Sequence, residues 1–193
     1  MGDPRKPRKK YATPTKPWTK ERVVEENELI KSYGLKNKTE IYKADSKLKK
    51  FLALAKRFAT IRTKQDETEK ELFLKKMKEL GFLEKGEKDP GKVLDLKIKD
   101  ILERRLQTIV HRKGLARSMK QARQFIIHRH IMIGERKITM PSVLVTTEDE
   151  LKISFTAFSN LSKDDHPERV IIEKEEKKDK KKKKPVKRVR KKK

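Results

Sequence analysis

The chain has no cysteine, a single tryptophan and only 6% aromatic residues, and its 29 acids face 55 lysines and arginines. Without cysteine it can form neither a disulfide nor a cysteine-ligated zinc site. No apolar run approaches the roughly 20 residues of a membrane-spanning helix. The N-terminus carries proline and lysine where a secretory signal would carry an apolar stretch, so no such signal is expected. Only 33% of the 193 residues are hydrophobic, which limits the core to one moderate domain or two small ones. Catalytic arrangements are scarce too. No Ser-His-Asp pairing, phosphate-cradling glycine loop or paired carboxylates stand out, so no enzyme activity, cofactor or small-molecule substrate is expected. His111, His128 and His130 lie close in sequence but on different faces or elements, without a companion carboxylate. His166 sits in a loop, and no metal site is expected.

What the chain has in excess is positive charge. A net charge of +26 disfavours self-association and favours polyanions. Nucleic acid is the expected partner and a membrane is not. Residues 1–19 form a basic arm broken by Pro4, Pro7, Pro14 and Pro17, which remove amide donors and block helix. Tyr11 and Trp18 can tether this arm to the protein or stack on a base, and a tether is the reading favoured for Trp18. Residues 161–193 form a C-terminal extension. Fourteen of the last twenty residues are lysine or arginine, and like charges at that density predict disorder in the free chain.

Residues 20–101 read as a helical region. A helix is predicted over Lys20–Tyr33, with Thr19 as N-cap and Gly34 as its stop. The stretch YGLKNKTEIYK at 33–43 reads as a polar linker. Asp45–Thr60 is amphipathic, with Leu48, Phe51, Leu52, Ala55, Phe58 and Ala59 on one face. Its opposite face carries Lys49, Lys50, Lys56 and Arg57, read as phosphate contacts. Thr68–Leu80 is a further helix closed by Gly81. After a turn-rich connection at 84–92, helical pattern resumes at Val93 and runs into the central stretch.

That stretch, Leu102–Arg129, is the most informative. It carries Arg104, Arg105, Arg112, Lys113, Arg117, Lys120, Arg123 and Arg129 against one acid, Glu103. Leu102, Leu106, Ile109 and Val110 share one arc of a helix read over 102–112, with Arg105, Thr108 and Arg112 in a row beside it. Ser118 opens a second helix, with Gln121 at capping-box spacing. Met119, Ala122, Phe125 and Ile126 form its buried arc; Lys120, Arg123, Gln124 and His128 lie opposite. Gly114 permits the turn between the helices. Forked guanidinium donors suit phosphate oxygens, so these cations are expected to grip nucleic-acid phosphates from outside the core. Ser118 is read as a cap, with phosphate binding as the alternative.

Beyond Arg129 the period falls to about two. Short strands are predicted at 130–133, 137–140, 142–145 and 151–155. Gly134-Glu135 suits a type II′ hairpin turn. The expected fold class is α+β: an N-terminal helical region, then a helix pair on a small antiparallel sheet.

Several motifs here resemble a known family. L-E-x-R-L at 102–106, Gly114-Leu115, Ser118, Ala122-Arg123-Gln124, His130-Ile131, Ile133 and Pro141-Ser142 are similar to the RNA-binding domain named after small-subunit ribosomal protein S-four. The domain would span residues 102–160. Gly134-Glu135 departs from the Asn-Gly often found at the family's hairpin tip. YGLKNKTEIYK, the proline-rich arm and the helical region resemble the archaeal and eukaryotic branch of the ribosomal protein itself. The resemblance implies primary binding to small-subunit ribosomal RNA, early assembly of the subunit body and contact with the ribosomal protein S-five. It also implies an influence on translational accuracy and a cytoplasmic, ribosome-bound location. An RNA-modifying or RNA-repair factor docking through the same domain is the alternative. A DNA-compacting protein would explain the lysine tail alone.

Overall fold

The structure, a computed structural model, describes residues 9–60, 63–84, 86–87, 89–163 and 166–168. Residues 1–8 of the basic arm and the lysine-rich tail at 174–193 lie outside this set.

The first helix, α1, runs over Lys20–Tyr33 and ends at Gly34, whose φ of +57° is left-handed. A β-carbon there would stand 2.7 Å from Cβ of Met119, so glycine serves both the turn and the packing. Thr19 is extended as an N-cap should be, but its side chain makes no cap bond. The second helix, α2, covers Lys38–Ala59. It starts well before the expected Asp45, because Ile41 and Ala44 are buried and extend the apolar stripe toward the N-terminus. The polar linker is therefore confined to residues 34–37. Glu26 is buried between the two helices, where it accepts from Arg22 Nε at 2.7 Å and meets Lys38 Nζ at 3.1 Å.

Helix α3, Lys64–Glu79, is capped by Thr63, whose hydroxyl accepts from the Asp66 amide. A 3₁₀ turn at Pro90–Asp95 follows, and α4 spans Ile98–Glu103. Val93 is fully buried against Phe58, Phe73 and Met77, which closes a core between α2 and α3. Ile101 and Leu102 pack on Ile41, Ala44 and Leu48.

The helix expected over 102–112 is broken. Arg105 is extended, with φ −74° and ψ 142°, and α5 begins at Leu106 and ends at Arg112. The chain at 141–145 causes the break. Leu106 N donates to Val143 O at 2.9 Å, Val145 N donates to Arg104 O at 3.0 Å, and Arg105 forms an antiparallel bridge with Leu144. These bonds satisfy the first amides of α5, which an isolated helix start leaves open. The strand expected at 142–145 thus pairs with the helix break, not with the sheet.

Helix α6, Met119–Ile127, leads into β1, Ile131–Ile133. Strand β2 is only Arg136–Lys137. An unanticipated short helix, α7 at Thr147–Leu151, precedes β3 at Ile153–Phe155. Thr146 caps α7, and three consecutive acids occupy its first turn, which favours helix over strand. The sheet is antiparallel in the order β2-β1-β3. Gly134 joins β1 to β2 with φ +57° while Glu135 avoids positive φ, the sign pattern of a type II′ turn. Leu106, Ile109, Val110, Phe125, Ile126, Ile131, Val145 and Ile153 form the core of this half. Each such side chain contributes roughly 1.5–3 kcal/mol on burial. The molecule is α+β, mostly helical with one small sheet.

The arm is anchored differently than expected. Trp18 is 91% exposed. The tether is instead the Ala12 amide, donating to Ser46 Oγ at 3.0 Å, together with Tyr11, whose ring receives the Lys43 ammonium.

Candidate nucleic-acid interface

Helices α5 and α6 meet through a polar contact as well as an apolar one. Gln107 is 1% exposed, and its amide nitrogen donates to the carbonyls of Met119 at 2.8 Å, Gly34 at 3.1 Å and Tyr33 at 3.3 Å. One side chain thus ties the end of α1 to the start of α6. Ser118 Oγ accepts from the Gln121 amide at 3.2 Å, as a cap should. The Gln121 side chain reaches back one residue further than a standard capping box and accepts from the Arg117 amide at 2.7 Å. Gly114 turns the chain with φ +73°.

This geometry sorts the basic residues. Arg105 is 4% exposed and donates to Glu40 Oε2 at 2.7 Å. Arg123 grips the same carboxylate with both terminal nitrogens, at 2.7 and 3.3 Å. Arg104 donates to Glu150 Oε2 at 2.7 Å and to the Val145 carbonyl at 2.9 Å. The expectation that Arg104, Arg105 and Arg123 stand clear of the core is therefore corrected. The local segment has one acid, but α2 and α7 deliver Glu40 and Glu150 from far along the chain. The row of Arg105 and Arg112 beside a continuous apolar arc also falls away, because the helix breaks between them.

Burial raises the Glu40 pKa, but the bonds and charges of Arg123 and Arg105 outweigh it and hold the carboxyl below its ordinary value. Lys47, one helical turn beyond Lys43 on α2, is also shifted down, which for an ammonium disfavours the charged form. Burial and then the charge of Arg105 lower its pKa. Lys43, Lys47, Arg105 and Arg123 line a groove of about 280 Å³ between α2 and the loop at 139–144. Sequence reading missed Lys43 and Lys47 because it placed the start of α2 too late to put them on one helical face.

The remaining expected residues are outward. Lys113, Arg117, Lys120, Gln124, His128 and Arg129 are exposed. Lys120 and Gln124 stand one turn apart on α6, and His128 continues their line at its C-cap. Arg112 shares the exposed edge but meets Glu103 at 3.2 Å. Ser118 is exposed with its hydroxyl engaged as a cap. Among the described residues, the side chains of Lys113, Arg117, Lys120 and Arg129 have no acidic partner within ion-pair distance. On α2, Lys49, Lys50, Lys56 and Arg57 are exposed as expected. Lys49 pairs with Asp45, and Arg57 pairs with Asp66 and Glu69. The structure thus leaves four exposed cations without an acidic partner among the described residues, on the α5–α6 turn, on α6 and just past its end, and a second, partly neutralised set on α2.

A helix pair seated on a three-stranded sheet, with a cationic outer edge, defines this as an S4-domain protein, and residues 104–151 match the S4 domain family. The likeness extends to nearly the whole chain. The small ribosomal subunit protein uS4 of Nanoarchaeum equitans is 49% identical over 88% of this chain and 94% of its own length. The proteins of the same name from Methanothermobacter thermautotrophicus and Methanococcus maripaludis are 44% and 41% identical, over 84% and 91% of this chain and 95% and 99% of their own. The chain belongs to the small ribosomal subunit protein uS4 family.

Proposed function

We propose that this chain is a structural constituent of the small ribosomal subunit that binds its ribosomal RNA through the α5–α6 edge. The observation that carries the site is the set of exposed cations Lys113, Arg117, Lys120 and Arg129, which have no acidic partner among the described residues. Charge left uncompensated on a folded surface binds an external polyanion, and folded RNA is read largely through its backbone and shape. Arg112, Gln124 and His128 extend the footprint, and Lys49, Lys50, Lys56 and Arg57 offer a second backbone contact on α2. Arg104, Arg105 and Arg123 act beneath this surface, shaping it through their acids.

Family membership supports the finer reading. The protein binds ribosomal RNA early and nucleates the subunit body, lies beside the S-five protein, and influences decoding accuracy. Its work is binding and not catalysis, and its location is the cytoplasmic ribosome.

The test is binding of the full chain to small-subunit ribosomal RNA over a range of salt. Each phosphate contact removed should lower the salt slope by about 0.7–0.9. Lys120→Ala and Arg117→Ala should each do so with the unfolding midpoint unchanged. Equal slopes for wild type and the double variant would remove this edge from the interface.

A further inference from the structure

We infer that the cleft between the C-terminal end of α6 and the chain at 156–160 receives one unpaired nucleotide of the bound RNA; this rests on the RNA-binding reading above and specifies it. The argument starts at Arg129. Helix α6 ends in paired bonds, His130 N to Phe125 O at 3.0 Å and Arg129 N to Ile126 O at 3.1 Å. That pattern places Arg129 where helices ordinarily carry glycine. Arg129 has a φ of 64°, and it is the one non-glycine residue with positive φ among those described. A bulky side chain is strained there, while glycine is not. The Thr156 hydroxyl donates to the Arg129 carbonyl at 3.1 Å and so helps to hold the strained turn. The guanidinium is exposed and has no acidic partner among the described residues.

The cleft beside it has a volume of about 610 Å³. That lies within the range of roughly 300–1,000 Å³ usual for small-ligand sites. Its wall includes Phe158, a ring 92% exposed in a chain with few aromatics. The Lys137 ammonium lies 5.3 Å from the centroid of that ring, on one face. The other face is open to a base. Gln124, Asn160 and His128 also line the cleft, and one acid, Glu168, stands on its wall against the cations Arg129 and Lys137. These groups supply what a single unstacked nucleotide needs: a ring to stack on, amides for base edges and cations for the phosphate. A duplex would leave the ring and the amides unused, since its bases are already stacked and paired.

The experiment measures binding of the full chain to small-subunit ribosomal RNA at two salt concentrations. Phe158→Ala should weaken binding roughly 5- to 150-fold with no change in salt slope, because stacking releases no counterions. Phe158→Tyr should restore affinity. Arg129→Gly should lower the salt slope by about 0.7–0.9 while the unfolding midpoint holds or rises. Affinity of Phe158→Ala equal to wild type at both concentrations would overturn the cleft. So would a loss confined to capture of a neighbouring ribosomal protein, since the ring would then serve a protein contact. Failure of the wild-type chain to bind this RNA at all would instead refute the function proposed above, a distinct result.

Discussion

Glu40 on α2 and Arg123 on α6 are 83 residues apart in sequence and bonded at 2.7 Å in the fold. Arg105 shares the same carboxylate. One acid from the helical region therefore fixes Arg105 at the helix break and Arg123 on α6, and it ties that region to the S4 domain.

Arg123→Ala should therefore act on stability first. It leaves Glu40 with half its partners in a half-buried setting, at a cost of about 1–3 kcal/mol. Chemical denaturation should show a lower midpoint with an unchanged slope. A variant as stable as wild type would show that the pair adds nothing.

The same carboxylate gives a pH signature. Its folded pKa lies below its ordinary value, so its contribution is complete above about pH 4.3. That contribution is lost as pH falls from there through the lower folded pKa. Glu40→Gln removes this dependence. Between neutral and acid pH the variant should lose less stability than wild type, although it starts from a lower value. Parallel stability curves down to pH 3 would count against it.

Gly34→Ala should destabilise the junction of α1, α5 and α6. The left-handed φ costs an alanine about 1 kcal/mol, and its β-carbon would stand 2.7 Å from that of Met119. The combined loss should reach about 2–4 kcal/mol. Thermal unfolding measures it, and a midpoint within a degree of wild type would be the contrary result.

Ser118→Ala should cost about 0.5–2 kcal/mol, since the Gln121 amide loses its acceptor. A threonine at the same position should recover most of the loss. If stability holds while RNA affinity falls, the hydroxyl serves phosphate and not the helix.

Much of the architecture was written locally. The bounds of α1, the cap at Ser118, the turn at Gly114, the buried arc of α6 and the hairpin at Gly134 each depend on residues within one or two turns. Periodicity, capping and glycine chemistry act at that range, so sequence alone determined them. Net charge likewise determined the kind of partner, because +26 needs no fold to attract a polyanion. What tertiary structure decided was which cations remain free for it. Arg105 and Arg123 look like Arg117 and Lys120 in a window of thirty residues. They differ only because Glu40 arrives from α2 and closes on them. The break between α4 and α5 has the same origin, since the Leu106 and Gln107 amides are taken by the carbonyls of Val143 and Pro141. The strained Arg129 and the open ring of Phe158 also come to line one cleft only when β3 lies beside β1. Ion pairs and ladder bonds form between whatever the fold brings within 3 Å, and local pattern carries no record of that.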